Sequence, residues 1–453
     1  MNEAPDYIKD TIVAAATPPG KGGIGVVRLS GVDAERIATK MVGDLPHARV
    51  ATSATFLDAD ESPIDSGLVI YFPEPGSFTG ETVVELQGHG GPVVMSLLVQ
   101  AAIDLGARRA EPGEFSQRAF LNDKLDLVQA ESIADLIESG TTQAARAAHR
   151  SLSGAFSKSV DALAEKLVHV RLHVEAAIDF PEEEIDFLSD ARLVEQLEEC
   201  DQEFATLQKQ TSAGRVLRDG FQIVIAGKPN AGKSSLMNLL SGEDAAIVTE
   251  YAGTTRDILR EQIDIDGLAV ELVDTAGLRE NPDEIEAEGI RRAREALRNA
   301  DAALFIQDAT LGDDSADHEL PDGIPVVVLR NKIDVSGDLP GVVPGVRQSM
   351  PLVLNVSAKT GAGVDALRET IKKLAGHEGA GVGAFTARKR HVDALTDAAR
   401  HYRAGRQALE KDKAGELLAE ELRLAQESLG SITGEVTSDD LLGRIFSEFC
   451  IGK

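Results

Sequence analysis

Apolar positions along the chain follow three successive periods. Up to about residue 120 they form short β-branched runs at 11–14, 25–29, 67–72 and 82–86, separated by Pro/Gly clusters such as Pro18-Pro19-Gly20 and Pro73-Glu74-Pro75-Gly76. That spacing predicts strands joined by turns, a compact β-rich α+β unit that Pro112-Gly113 closes. From about 116 to 210 the pattern turns helical. Leu163, Leu167, Val170, Val174 and Ala177 step by four and three, and so do Leu193, Leu197, Cys200, Phe204 and Leu207. Each set is one apolar stripe, so helix is expected to pack on helix.

Near Gly220 the period changes again. Short apolar runs at 221–226, 269–273, 302–306 and 326–329 alternate with helical stretches, as in a parallel α/β sheet. The glycine-rich residues 374–383 read as a linker, after which Leu418, Leu422, Ala425 and Leu429 resume a helical stripe. The economical arrangement is an α/β domain inserted between two halves of a helical domain. The expected boundaries are 1–120, 121–215, 216–377 and 378–453.

Composition narrows the function classes. Among 453 residues, 46 Lys and Arg face 75 Asp and Glu, a net charge of −29. Such a field repels phosphate backbones and excludes a freestanding nucleic-acid coat, leaving room for a local basic patch or a basic partner. Cys200 and Cys450 are the only cysteines, so no disulfide framework is expected and a reducing cytoplasm fits. The polar, acidic start and the lack of any apolar run near the roughly 20 residues of a membrane span lead to the same expectation, with no membrane partner.

The chemistry concentrates in the inserted segment. Gly-Lys-Pro-Asn-Ala-Gly-Lys-Ser at 227–234 matches G-x-x-x-x-G-K-[ST], after an apolar strand and before a helical run. Here backbone N–H groups of Asn230, Ala231, Gly232 and their neighbours can wrap phosphates, Lys233 can reach the β/γ oxygens, and the hydroxyl of Ser234, beside Ser235, can ligate Mg²⁺. Asp274-Thr275-Ala276-Gly277 follows a strand, where the carboxylate can hold a Mg²⁺ water and Gly277 can meet a γ-phosphate. Gly253-Thr254-Thr255 offers a threonine, assigned as Thr255, for the same ion. Asn331-Lys332-Ile333-Asp334 follows another strand, and Asp334 can accept hydrogen bonds from guanine N1–H and the 2-amino group, which adenine lacks. Ser357-Ala358-Lys359 completes the base pocket. The set reads as a GTP site.

Ras-like GTPases place a water-orienting glutamine directly after the Asp-Thr-Ala-Gly element, whereas here Leu278 occupies that position. Leucine cannot polarise water, so hydrolysis must be slow or completed by another group, with Asp283, Glu284, Glu286 and Glu288 nearby in sequence. Weaker motifs read as structure. Gly20-x-Gly22-x-x-Gly25 fits a dinucleotide fingerprint, but a strand-like run follows where a helix should open. His89 reads as a turn residue, Cys200 as core, Cys450 as a small buried hydrophobe, and Arg388-Lys389-Arg390-His391 as a solvated helix start with an RNA contact as the alternative.

Two terminal segments, Thr-Pro-Pro-Gly-Lys-Gly-Gly-Ile-Gly at 17–25 and Phe-Cys-Ile-Gly-Lys at 449–453, extend the picture. With Ser-Phe-Thr-Gly-Glu at 77–81, Gln-Gly-His-Gly-Gly-Pro at 87–92, Arg-Ala-Phe-Leu-Asn-Asp-Lys at 118–124 and Asp-Asp-Leu-Leu-Gly-Arg-Ile-Phe at 439–446, the whole chain resembles the MnmE/TrmE family of tRNA-modification GTPases. The resemblance implies a multidomain α+β and α/β protein: a folate-binding-like N-terminal domain, a helical domain and an inserted Ras-like P-loop G domain. It implies a homodimer and an FAD- and NADH-using partner in a heterotetramer. Together they install a carboxymethylaminomethyl-type group at C5 of the wobble uridine, position 34, of certain tRNAs. A tetrahydrofolate derivative, 5-formyl or methylene, is the implied one-carbon donor.

Residue by residue, the resemblance makes Asn230 a K⁺ ligand with Thr249, Tyr251 and Thr254, in a nucleotide-contacting loop that also includes Glu250, Ala252, Gly253 and Thr255. It makes Glu286 the acid that orients water and K⁺ the promoter of G-domain pairing. Arg28, Glu85, Lys124 and Lys453 match its folate-binding positions, and Cys450 becomes a candidate reactive thiol beside them. The alternative is a GTP-gated module that docks on ribosomes or RNA without taking part in the chemistry.

Overall fold

A computed structural model describes residues 10–179, 191–228, 230–243, 260–274, 300–311, 324–344, 351–376, 384–436, 439–447 and 449–452. The chain divides into two compact units, residues 1–134 with 426–453, and residues 135–425.

The first unit is built on a six-stranded sheet, β1 (Ile12–Ala15), β2 (Gly25–Ser30), β3 (Thr52–Leu57), β4 (Pro63–Phe72), β5 (Val83–Gly88) and β6 (Arg108–Arg109), in the order β3-β4-β5-β2-β1-β6. All neighbours are antiparallel except β1 and β6. Alternation sorts the side chains of β2 and β5. Val27, Leu29, Val84 and Leu86 enter a core with Ile37 and Met41 of α1 (Ala34–Val42) and Leu98 of α2 (Pro92–Asp104). Each such side chain stabilises the fold by about 1.5–3 kcal/mol. The intervening Arg28 and Glu85 are left to the opposite face.

That unit continues through α3 (Glu114–Leu121) into α4 (Leu127–Glu138). The terminal helix, α13 (Asp439–Ser447), packs Leu442, Ile445 and Phe446, with Phe449 beyond it, on Leu127 and Ala130. The last residues run past the sheet: Ile451 bridges Pro112, and the Gly113 N–H donates to the Cys450 carbonyl at 3.4 Å. Gly452 has φ +95°, and a Cβ there would sit 2.3 Å from the Ala15 carbonyl oxygen, so only glycine fits.

The second unit combines helices with a second sheet. Its helices are α5 (Thr142–Leu152), α6 (Ala155–Asp179), α7 (Ala191–Asp219), α11 (Lys389–Asp412) and the start of α12 (Gly415–Thr433). The stripes read from the sequence are buried, including Leu163, Leu167, Val170 and Val174 on α6 and Leu193 through Leu207 on α7, while Ala177 is half-buried. Cys200 belongs to the α7 stripe, and burial pushes its thiol up to about 11. The Tyr402 ring of α11 lies tilted 5.1 Å from that of Phe204, and its hydroxyl donates to the Leu197 carbonyl at 2.5 Å, so residues on both sides of the inserted segment in sequence pack together.

The second sheet contains β7 (Phe221–Gly227), β8 (Arg260–Ile265), β9 (Leu268–Asp274), β10 (Ala302–Asp308), β11 (Val326–Asn331), β12 (Gly341–Val342) and β13 (Leu352–Asn355). Their order is β12-β13-β11-β10-β7-β9-β8. The five central strands are parallel, as the alternation led one to expect, and β12 and β8 at the edges are antiparallel. The physical reason at β8 is a two-residue hairpin turn, Asp266-Gly267, with φ +53° and +89°. Helices α8 (Lys233–Glu243), α9 (Ile333–Ser336) and α10 (Val364–Leu374) complete this part. Among the described residues no helix is long and apolar enough to cross a membrane.

Candidate functional site

The phosphate-type loop leaves the C-terminal end of β7, between the parallel strands β10 and β9, where α/β sheets bind their ligands. Its glycines are required by space. At Gly227, φ +147°, a Cβ would lie 2.3 Å from the Ile306 carbonyl oxygen, and at Gly232, φ +100°, one would lie 2.1 Å from Asn331 Nδ2. Asn230 is exposed with φ +63°. Lys233 opens α8 and is buried, its Nζ donating to the carbonyls of Gly227 and Lys228 at 3.0 Å each. The ammonium is thus held over the loop, and Ser234 and Ser235 are exposed on the first turn of the helix. N–H groups, a cation and a hydroxyl gathered at a helix start suit a phosphate chain with its metal ion.

The base end is tied to this loop by one side chain. Asn331, 3% exposed at the end of β11, donates from Nδ2 to the Ala231 carbonyl at 2.8 Å and accepts from the Ala358 N–H at 2.9 Å through Oδ1. Asp334 is exposed, and its Oδ1 accepts from the fully buried Ser357 Oγ at 2.7 Å. Ser357 Oγ also accepts from the Thr360 N–H, which closes the loop carrying exposed Lys359. Lys332 has φ +68°, and its Nζ lies 2.6 Å from Asp308 Oδ2. Phosphate loop, Asn331, Lys332, Asp334 and the 357–359 loop therefore form one connected edge of the sheet.

A second charged cluster sits on the other face of the first sheet, beside Phe115 of α3. Arg28 and Glu85 face each other in register, with Nη2 to Oε1 at 2.8 Å, and the guanidinium lies 5.8 and 5.6 Å from the ring centres of Phe78 and Phe115. The Lys124 Nζ donates to the Pro75 carbonyl at 3.0 Å. Both cations thus adjoin the loop 75–81. That loop is fixed by Ser30, whose hydroxyl lies 2.7 Å from Thr79 Oγ1 and donates to Glu81, and by Arg118, 2% exposed and paired with Glu81 at 2.9 Å.

Comparison with known families decides the wider identity. Residues 127–450 match the family described as the MnmE helical domain, and residues 11–124 match the one described as the GTP-binding protein TrmE N-terminus. The chain belongs to the MnmE/TrmE family. It is accordingly a GTP hydrolase that works in tRNA modification.

Among solved structures, the G domain of the T. maritima FeoB iron transporter is similar at 22% identity over 34% of this chain and 98% of that one, with a TM-score of 0.25. The FeoB G domain from Methanococcus jannaschii is similar at 20% identity over 34% and 97%, TM-score 0.25. A GTP-binding protein from Sulfolobus solfataricus in complex with GDP is similar at 19% identity over 60% and 79%, TM-score 0.25. At TM-scores this low these likenesses carry no weight beside the family match.

Several expected site residues of this MnmE/TrmE chain lie outside the described residues: Thr249, Glu250, Tyr251, Ala252, Gly253, Thr254, Thr255, Thr275, Ala276, Gly277, Glu286 and Lys453. Asp274 ends β9, in register with Ile225 of β7, which brings its backbone to the edge that carries the phosphate-type loop. Two expectations are corrected. Cys450 is exposed rather than a buried small hydrophobe, because Phe449 turns inward instead. The 388–391 cluster is not a solvated helix start, since Arg388 and His391 are buried. Arg388 meets Asp135 at 2.8 Å, and Arg218 at the end of α7 meets the same carboxylate oxygen at 2.9 Å. His89 is a turn residue as read, pinned by Asp65 through its N–H and Nδ1.

Sequence reasoning missed Asp308. The signal was available: an acidic residue closing a central strand of a parallel sheet points to the ligand edge.

Proposed function

We propose that this MnmE/TrmE protein binds GTP along the edge from the 227–234 loop to the 357–359 loop, within a G domain spanning about residues 216–377. The observation that carries the reading is Asn331, whose single amide joins the phosphate-type loop to the base loop. A shift at either end is then felt at the other. Asp334, oriented by Ser357, reads the guanine edge, and Lys233 meets the β/γ oxygens. Ser234, exposed on the first turn of α8, fits a Mg²⁺ ligand with Thr255, and exposed Asn230 fits a K⁺ ligand with Thr249, Tyr251 and Thr254. Bound there, the two ions supply positive charge beside the phosphates, a task an arginine finger performs in other GTPases. Glu286 takes the water-orienting role that Leu278 cannot fill.

The N-terminal unit is proposed to hold a tetrahydrofolate derivative. A half-buried ion pair beside the partly exposed ring of Phe78, with Lys124 hydrogen-bonded to the same loop, fits a flat polar heterocycle with an anionic tail. The folate when bound supplies a one-carbon unit. The protein acts as a homodimer with an FAD- and NADH-using partner, and the product is the carboxymethylaminomethyl-type group at C5 of uridine 34. The charge of −29 leaves most tRNA contacts to that partner.

GTP turnover in KCl and NaCl at matched ionic strength tests the nucleotide reading, with much faster turnover expected in KCl. Equal rates would remove K⁺ from it. Loss of the C5 modification from the tRNA of a strain lacking the protein is the expected biological outcome, and intact modification would refute the role.

A further inference from the structure

Just past β5, Asp65 grips His89 at two points. Its Oδ2 accepts from the His89 N–H at 2.8 Å, and its Oδ1 lies 2.8 Å from Nδ1. The carboxylate side chain is 10% exposed, whereas the imidazole is 74% exposed. An acceptor at Nδ1 keeps the ring proton on that nitrogen, so Nε2 presents its lone pair to solvent. Burial works against the charged form of Asp65, but its bonds to His89 and to the Ser66 N–H outweigh that and hold the carboxyl below its ordinary value.

The backbone is built around this pair. At Gly88 a Cβ would lie 2.5 Å from Asp65 Oδ2, and at Gly90 one would lie 2.6 Å from the Ile24 carbonyl oxygen, so both places need glycine. The Gly22 N–H donates to the Gly90 carbonyl at 2.9 Å, which seats the 17–25 segment on the turn that carries His89. A ring left to solvent gains little from such support, whereas a proton carrier held ready for a substrate depends on it. Gly88 is in register with Gly25 as Glu85 is with Arg28, so His89 follows the ion pair by four positions, about 13 Å, along the same strands. The Ala16 N–H donates to the Val26 carbonyl at 2.7 Å and Gly452 packs on Ala15 and Ala16, so the C-terminal tail reaches the same sheet edge, on the order of 10 Å from His89. His89 thus stands at the rim of the face proposed for the folate derivative.

We propose that His89 is the catalytic acid–base of one-carbon transfer to an amine, with Asp65 as its positioning residue. This rests on the folate reading of the Arg28–Glu85 face. As the amine lone pair bonds the one-carbon unit, His89 Nε2 takes the N–H proton of that amine, and the bonding pair stays on nitrogen. His89 then returns the proton to the nitrogen from which the unit departs, which keeps the electron pair of the broken bond. The ring is charged only between these two transfers, and the Asp65 carboxylate offsets that charge.

Diethyl pyrocarbonate, read by peptide mass analysis, measures access to Nε2 on the wild-type chain. It should modify His89 in the free protein and be blocked there by labelled 5-formyltetrahydrofolate, with the protection lost in Arg28→Ala. In the reaction reconstituted with the FAD-dependent partner and tRNA, His89→Asn keeps a donor for Asp65 and removes Nε2. It should lower kcat for modification about 100-fold, leaving KM for tRNA, folate retention and unfolding temperature near wild type. Asp65→Asn should lower kcat about tenfold, and added imidazole should restore part of the rate lost in His89→Ala. A kcat within about twofold of wild type in His89→Asn would overturn the proposal, and so would a loss in His89→Ala that imidazole leaves untouched. Folate retained without protecting His89 overturns the placement of the base alone, whereas no folate retained by the wild-type chain overturns the reading beneath it.

Discussion

Replacing Asn331 with alanine probes the one side chain that spans the nucleotide edge. The substitution removes two hydrogen bonds, at 2.8 and 2.9 Å, from a position 3% exposed, and leaves the Ala231 carbonyl and the Ala358 N–H without those partners. Two unmade buried bonds cost on the order of 2–4 kcal/mol locally. Water can enter beside half-buried Ala358 more readily than beside Ala231, which is 2% exposed, so most of the loss falls on the phosphate-type loop. If all of it appeared in binding, GDP affinity would fall by about 30- to 700-fold, and at least tenfold is expected. Amide hydrogen exchange at Ala358 gives a local readout that does not rely on two-state unfolding of a multidomain chain. Asn331→Asp is a second probe, keeping an acceptor for Ala358 but losing the donor to Ala231 and burying a charge, so it should bind no better than Asn331→Ala. Unchanged GDP affinity together with unchanged exchange at Ala358 would refute the claim that Asn331 couples the two loops.

Other consequences can be measured directly. Asp135→Ala removes the carboxylate oxygen shared by Arg388, whose side chain is 10% exposed, and Arg218. The cost should be about 3–5 kcal/mol in urea unfolding of the helical signal, and an Asp135→Leu, Arg388→Met pair should recover most of it. Asp308 has a folded-state pKa depressed to about 2 from an ordinary 3.8, so its pairing stabilises the protein fully above the ordinary value and is lost as pH falls from there through about 2. Thermal stability should accordingly show no Asp308 step from about pH 5 to about pH 8; a step there, abolished by Asp308→Asn, would contradict the depressed pKa. Arg28→Ala should abolish retention of labelled 5-formyltetrahydrofolate while leaving GTP turnover within about twofold. Retained folate binding would move that ligand away from the Arg28–Glu85 face.

What the chain discloses in its order of residues depends on how local the physics is. The phosphate-type loop was legible because wrapping a phosphate requires consecutive backbone groups, so Gly227, Gly232 and Lys233 stand together in sequence. The α6 and α7 stripes were legible because one helix face repeats every three or four residues. Strands β3 and β8 were not, since only Phe56 of Thr52–Leu57 is buried and the inward residues of Arg260–Ile265 seen as buried are Ile263 and Ile265. An edge strand with one wet face carries too little apolar signal, although the Asp266-Gly267 turn advertised the hairpin.

Arg388 shows the harder limit. In sequence it stands in a basic run and reads as solvated, but its carboxylate partner lies 253 positions earlier. Asp135 receives both Arg218, three residues before the backbone enters β7, and Arg388, directly before α11 begins. The segment between these arginines contains the second sheet, so one buried carboxylate holds the chain at both of its crossings. That placement gives Asp135 a mechanical meaning that burial alone would not. Any displacement of the nucleotide-bearing segment as a body must either carry Arg218 and Arg388 together or break a buried charge pair, and the second route is the costly one.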